Sequence, residues 1–377
     1  MRELLPRLRA LTAAAEPFAL ATVVTVRGSA PRLPGATMAV TREGRVIGSL
    51  SGGCVESAVY EAAQEVLDTG LAQLVTYGVS DDDAFAVGLT CGGTLEILIR
   101  PVDPRAPAWT ALMTALDHHQ PAALATSLAG PAPLGATLLV HGAATHGTLG
   151  ADAALDRTAA QETRRALRSG ITTVRRLHHC EPAADRREDT TRLFVQVLRP
   201  PARMLVFGAV DHAAATARIG AFLGYRVTVC DARPVFADAA RFPDADEVVC
   251  AWPHAYLEKN EPDIDERTAI CVLTHDPKFD IPLLLAAVRT GAGYIGVMGS
   301  RRTHRDREAR LREAGATAAD LARLASPIGL DLGASTPEET AVSIAAEIVA
   351  LRHGGTGRRL TELTGAIHRD RQEAGAA

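Results

Sequence analysis

Apolar and polar positions fall into two regimes along the chain. From residue 202 onward the runs MLVFGA, VTVCDA, EVVC, AICVLTH and YIGVMGS are short, apolar and rich in β-branched residues. Helical stretches such as HAAATARIGAFLG and FDIPLLLAAVRTG lie between most of them. Strands that alternate with helices predict a parallel sheet covered on both faces. Before residue 202 the pattern differs. FALATVVTVRG from Phe18, PGATMAV, GSL and EILIRP ending at Pro101 are echoed by AALATSLAG from Ala122, LGATLLV, GTL and FVQVLRP ending at Pro200. Gly35-Ala36-Thr37 matches Gly135-Ala136-Thr137, Gly70 matches Gly170, and Arg100-Pro101 matches Arg199-Pro200. Such self-similarity predicts a duplicated unit whose copies bury apolar faces against each other.

Within each copy the pattern is strand, loop, strand, helix, strand, with Val59, Ala62, Ala63, Val66 and Leu67 on one helical face. The fold class expected is α/β: an N-terminal duplicated α+β domain followed by a Rossmann-like doubly wound parallel sheet domain. The segments are 1–101 (first copy, with the cysteine motifs), 102–201 (second copy, scaffold), 202–355 (Rossmann-like) and a flexible or docking tail at 356–377.

Length and composition narrow the function classes. With 377 residues, 47% of them hydrophobic, the chain can build two or three cores. A formal net charge of -4 argues against nucleic acid as a bulk partner. No apolar run reaches the roughly 18 residues of a membrane span, and the N-terminus has no signal-peptide pattern. A soluble, cytoplasmic protein is expected. Its cysteines, at 54, 91, 180, 230, 250 and 271, should then be thiols, and without a C-x-x-C pair no metal site is expected. Cys180, Cys230, Cys250 and Cys271 read as small buried hydrophobes. The histidines of His178-His179-Cys180 and of His118-His119 read as surface residues, and Asp81-Asp82-Asp83 as a solvated loop.

Candidate chemistry gathers in two places. The first copy alone carries Arg27-Gly28-Ser29, Pro31-Arg32, Ser51-Gly52-Gly53-Cys54 and Cys91-Gly92-Gly93. Cys54 precedes an amphipathic helix, whose N-terminal N–H groups would favour a thiolate. Gly52 and Gly53 would let a bulky ligand approach the backbone, and Arg27 and Arg32 could hold a phosphate or oxo-anion. In the Rossmann-like segment the strand tips are expected on one edge: Gly208-Ala209-Val210-Asp211-His212, Asp231, His275-Asp276 and Gly299-Ser300-Arg301. Asp231 stands where a carboxylate meets ribose hydroxyls, although a helix cap or a loop carboxylate fits as well. His275-Asp276 could equally be a turn before a helix near Asp280. Val210 replaces the second glycine of G-x-G-x-x-G and obstructs a pyrophosphate. A mononucleotide or a pterin phosphate survives that change.

The stretches GSAPRLPGATMAV, GSLSGGCVE, LTCGGTLEI, VCDARPVFADAARFPDADEV, THDPKFDIPLL, YIGVMGSRRTHRDR and SPIGLDLGASTPEETAVSIAAEIV together resemble the XdhC/CoxI family. These are accessory proteins of xanthine dehydrogenase and carbon monoxide dehydrogenase. The resemblance implies a protein that binds molybdenum cofactor (molybdopterin), supports its sulfuration and passes it to a molybdenum hydroxylase in its apo form. It implies that Cys54 and Cys91 face the cofactor or incoming sulfur, that Arg27 and Arg32 meet its phosphate or oxo groups, and that the Gly208 loop and Asp231 bind its nucleotide-like part. A cysteine desulfurase is a further candidate partner and a homodimer the expected assembly. The alternative is an NAD(P)-dependent oxidoreductase that uses the Rossmann site, or another nucleotide bound there.

Overall fold

A computed structural model describes residues 1, 4–28, 32–78, 93–178 and 190–364. Its described residues form two compact units, Met1–Pro200 and Pro201–Thr364. No helix among them is long and apolar enough to cross a membrane.

The first unit runs α1 (Leu5–Ala13), β1 (Phe18–Arg27), β2 (Thr37–Thr41), β3 (Val46–Gly48), α2 (Glu56–Thr69), β4 (Gln73–Tyr77) and β5 (Thr94–Val102). It continues with α3 (Pro107–Asp117), β6 (Ala122–Ala129), β7 (Thr137–His141), β8 (Ala144–Thr148), α4 (Ala153–Ser169), β9 (Thr173–His178) and β10 (Thr190–Leu198). The strands make two antiparallel sheets of the same order, β3-β2-β1-β5-β4 and β8-β7-β6-β10-β9.

Alternation along β1 explains how each sheet is covered. Ala19, Ala21 and Val23 face Val59, Ala63 and Val66 of α2, while Phe18 and Leu20 enter a second cluster with α1, α3, Ala122 and Leu124. In the other sheet Ala123 and Ala125 face α4, whereas Ala122 and Leu124 join that same second cluster. One core therefore serves both copies. Both helices end on a left-handed glycine, Gly70 (φ 70°) and Gly170 (φ 71°), as the echo in the sequence implies.

Three features depart from the expected pattern. Each copy has two more strands than its apolar runs suggest, because β3, β4 and β8 are short or lack a fully buried face. Helix α3 also appears, burying Trp109, Leu112 and Leu116 between the copies. Finally, the match of Arg100 to Arg199 slips by three residues. Leu20 pairs with Arg100, and Leu124, its counterpart, pairs with Gln196. Core-facing alternation sets register, so Arg100 corresponds to Gln196 and the Arg-Pro echo is only textual.

The second unit contains β11 (Arg203–Phe207), α5 (Asp211–Phe222), β12 (Arg226–Asp231), β13 (Glu247–Cys250), α6 (Pro253–Lys259) and β14 (Ala269–Val272). After these come α7 (Pro277–Ala287), β15 (Tyr294–Val297), α8 (Arg301–Glu313), α9 (Ala318–Ala322), β16 (Leu324–Ala325) and α10 (Pro337–His353). The sheet is parallel throughout, in the order β13-β12-β11-β14-β15-β16. Leu205, Phe207 and Ile270 face α6, α7 and α8, while Met204, Val206 and Cys271 face α5 and α10. This is the doubly wound arrangement expected, with the order reversing between β11 and β14. Burial pushes the Cys230 and Cys271 thiols up to about 12. Cys250 corrects an expectation: it lies exposed at the end of β13, an edge strand, rather than in the core.

Candidate functional site

The loop between β3 and α2 brings Gly52, Gly53 and Cys54 together, and the residue that shapes it is Glu56. Its carboxylate accepts from the hydroxyls of Ser49 (2.7 Å) and Ser51 (2.6 Å). It also accepts from the backbone N–H groups of Leu50, Ser51, Gly52, Gly53 and Val55, at 2.8–3.2 Å. Ser51 Oγ in turn accepts from the N–H groups of Cys54 and Val55. Partial burial would raise the Glu56 carboxyl, but the Ser51, Ser49 and Leu50 donors outweigh it and hold the group far below the usual carboxylate range. The N–H groups expected to face a thiolate or a ligand thus converge on a carboxylate of the same chain.

Gly52 (φ 82°) and Gly53 (φ 121°) adopt backbone conformations that side chains resist. A Cβ on either would meet nothing within 4 Å, so open space lies over the loop. Cys54 beside them is half-buried against the core under α2. Val26 packs on that same core, and its neighbour Arg27 ends β1 exposed. Arg32 is half-buried in the β1–β2 connection. Cys91 and Gly92 of the second glycine motif lie outside the described residues, as do His179, Cys180 and Asp81-Asp82-Asp83.

In the second unit the carboxyl ends of the strands bring the remaining candidates to one edge of the sheet. Gly208 follows β11 at φ 106°, and a Cβ there would lie 2.8 Å from Thr274 Cγ2 and 3.0 Å from its backbone nitrogen. Only glycine lets the ends of β11 and β14 approach so closely. Val210 is the extended residue before α5, Asp211 opens that helix exposed, and His212 is half-buried. Two N–H groups at the start of the turn are engaged: Gly208 donates to Cys230 O (2.9 Å) and Ala209 to Asp231 Oδ2 (2.8 Å).

Asp231 is 2% exposed, which excludes a solvated loop carboxylate. It accepts from the Arg233 backbone N–H and guanidinium at 2.8–2.9 Å. Burial would raise its pKa, but Arg233 and Ala209 outweigh that and hold it below the usual range. Arg233 lies 4.3 Å over the Phe236 ring. A ribose hydroxyl reaching Asp231 would have to replace this guanidinium.

Asp276 is the N-cap of α7, accepting from Lys278 N–H (3.1 Å), and the helix begins at Pro277 rather than near Asp280. His275 beside it is exposed. Ser300 caps α8, Gly299 precedes it at φ 151°, and Arg301 is exposed at its start. Beneath these tips Arg307 donates to Asp280 Oδ2 (3.0 Å) and Met298 O (3.0 Å), and the Thr274 hydroxyl donates to Asp280 Oδ1. Asp280 and Arg307 are 2% and 5% exposed, a buried ion pair that ties α7 and α8 to the ends of β14 and β15. Burial raises the Asp280 carboxyl, against the opposing pull of Thr274 and Arg307.

Glu56, Arg233, Asp280 and Arg307 were not singled out from the sequence. The hydroxyl- and glycine-rich run ending in a glutamate at a helix start was the one available signal for Glu56. Asp280 and Arg307, 27 residues apart on different helices, had none.

Comparison with known proteins agrees with this architecture. Residues 204–348 match a family described as the XdhC Rossmann domain, and residues 11–78 match the XdhC and CoxI family. A Bacillus subtilis (strain 168) protein described as a probable xanthine dehydrogenase subunit is 31% identical over 340 residues, covering 89% of this chain and 94% of that one. The molybdenum cofactor insertion chaperone PaoD of Escherichia coli (strain K12) is 26% identical over 333 residues, 88% of this chain and 83% of PaoD. The solved structure of a xanthine dehydrogenase from Bacillus halodurans shares the fold with a TM-score of 0.69 at 24% identity, over 95% of this chain and 97% of that one.

Proposed function

The chain belongs to the XdhC and CoxI family, and we propose that it is an accessory factor that binds molybdenum cofactor and assists its sulfuration and insertion into a xanthine dehydrogenase-type hydroxylase. The observation that carries this reading is Cys54 beside two glycines with open space above them. A soft sulfur donor beside two glycines, on a loop tied down by the Glu56 carboxylate, fits a bulky sulfur-rich cofactor better than a small-molecule substrate. When bound, the cofactor supplies the molybdenum centre that the client enzyme uses. The chain's part is to hold it: Cys54 as ligand or sulfur relay, Arg27 and Arg32 toward phosphate or oxo groups. The apo form of the client hydroxylase is the partner this role requires, and a cysteine desulfurase is a candidate sulfur donor.

The Rossmann unit supports the alternative of NAD(P) turnover less well. The Gly208 and Ala209 N–H groups and Asp231 are already engaged within the chain, and a β-branched Val210 stands in place of the second glycine of the fingerprint.

Protein from a molybdenum-replete host, assayed for bound molybdenum and for the fluorescent pterin oxidation product, tests the proposal. The expected result is cofactor retained by the wild type and lost by Cys54→Ala. Wild-type protein that stays empty even after incubation with added cofactor sinks it.

A further inference from the structure

Arg100 is a buried cation with no counter-ion among the described residues. It lies in β5, is 9% exposed, and its guanidinium has no hydrogen-bond or ion-pair partner among the described residues. A charge taken out of water is costly unless something compensates it, so an arginine placed this way calls for an anion. Burial lowers its pKa to about 10, which leaves it charged at neutral pH.

The duplicated architecture supplies an internal control. In the other copy the same register position is Gln196, whose side-chain nitrogen donates to Gly35 O at 2.9 Å. A neutral amide is therefore sufficient to pin the glycine turn of the opposite copy. At Arg100 the stem packs on the matching turn, Gly135, where an added Cβ would lie 3.2 Å from Arg100 Cβ. The guanidinium is thus surplus to the packing role.

Beside Arg100 lies a cavity of about 230 Å³, lined by Arg100, Asp103, Trp109, Gly135, Ala136 and Thr137 among others. Since one water takes roughly 30 Å³ in the liquid, the space holds several waters or one small anion with water. We propose that this cavity is a binding site for a tetrahedral oxyanion of the phosphate class, with the Arg100 guanidinium as its charge partner and the Thr137 hydroxyl as a second donor. Guanidinium groups suit such anions because their fork matches two oxygens at once. Asp103 stands exposed in the lining, its carboxylate accepting from Arg105 N–H at 2.8 Å, and repels the same anion. The site is independent of the Cys54 reading.

The test uses the full chain at constant ionic strength, titrated with inorganic phosphate or a phosphate monoester such as glycerol 3-phosphate, with chloride as reference. Binding is read from the melting temperature and from Trp109 fluorescence in a Trp252→Phe background, since the chain has two tryptophans. The expected result is a saturable rise in melting temperature with phosphate or the monoester. Response to both marks a site for the free ion, and response to the monoester alone marks a site for an esterified ligand. Arg100→Gln, which copies Gln196, should fold and weaken binding by about tenfold or more, the scale of one lost charge-assisted interaction. Asp103→Asn should tighten it. A wild type indifferent to both ligands, or Arg100→Gln with an undiminished response, overturns the proposal. Should Arg100→Gln fail to fold, Arg100→Lys decides the matter by the same readout: it keeps the charge but loses the fork, and binding as tight as wild type counts against the assignment.

Discussion

The two copies in the first unit carry the same sheet and the same helix, yet they treat the start of that helix differently. In one, Glu56 gathers five backbone N–H groups and two hydroxyls. In the other, its counterpart Asp156 holds only the Thr148 hydroxyl (2.6 Å) and Leu149 N–H (2.8 Å). Those two contacts mirror Ser49 and Leu50, so they belong to the fold. The additional contacts from Ser51, Gly52, Gly53 and Val55 belong to the cysteine loop. The second copy instead caps its helix with Asp152, which accepts from Ala154 and Leu155 N–H at 2.7 Å. The contrast separates what a strand-to-helix connection needs from what holding Cys54 in place needs.

Removing the two carboxylates in turn should separate the copies most clearly. Glu56→Ala should cost about 2–3 kcal/mol by urea denaturation, because the exposed Gly52 and Gly53 N–H groups regain water while the inner donors do not. The cost should also depend on pH. The folded pKa of Glu56 lies below its unfolded value, so its contribution is complete above the ordinary carboxylate range near about 4.3 and is lost as pH falls toward the depressed folded value. The gap between wild type and Glu56→Gln should therefore close on acidification; a gap that widens would refute the assignment.

Next in size are the helix-ending glycines. Gly70→Ala and Gly170→Ala should each cost about 1–2 kcal/mol for placing a Cβ in left-handed backbone. Gly170→Ala should be the worse, since its Cβ would collide with the Arg199 guanidinium, which donates to Arg168 O. Equal thermal shifts would mean that the Arg199 contact contributes nothing. Smallest is Asp156→Ala, at about 0.5–1 kcal/mol for two contacts, one of them from an exposed hydroxyl. A loss as large as that of Glu56→Ala would erase the distinction between the copies.

Much of this fold was legible in the sequence. The five apolar runs after residue 202 became β11 to β15. The strands inside the sheet are apolar because both their faces are covered, whereas the edge strand β13 leaves Glu247 and Cys250 exposed. The duplication was legible through Gly35/Gly135 and Gly70/Gly170, positions set by backbone conformation. The register of β5 against β10 was not, since Arg-Pro recurs in text three residues away from its place in space. The site was legible only in part. Glycines and Cys54 announce a loop, but a carboxylate that bonds to main-chain N–H groups has no partner residue type to reveal it. In the second unit Asp231 was visible by its spacing, whereas Arg233, two residues on, looked like any surface cation until the sheet folded.

The core shared by the two copies has a consequence for how the first unit comes apart. Phe18 of one sheet meets Trp109 edge-on at 5.3 Å, and α1, α3, Leu20 and Leu124 complete the same cluster. Val24, Leu98, Leu128 and Phe194 form another that draws on both sheets. Opening either copy alone would expose the apolar face of the other, so neither is a cooperative unit by itself. Amide protons at the centres of β1 and β6 should therefore exchange through one common opening event, and a chain cut short after the first copy should lack the protection that the full unit gives it.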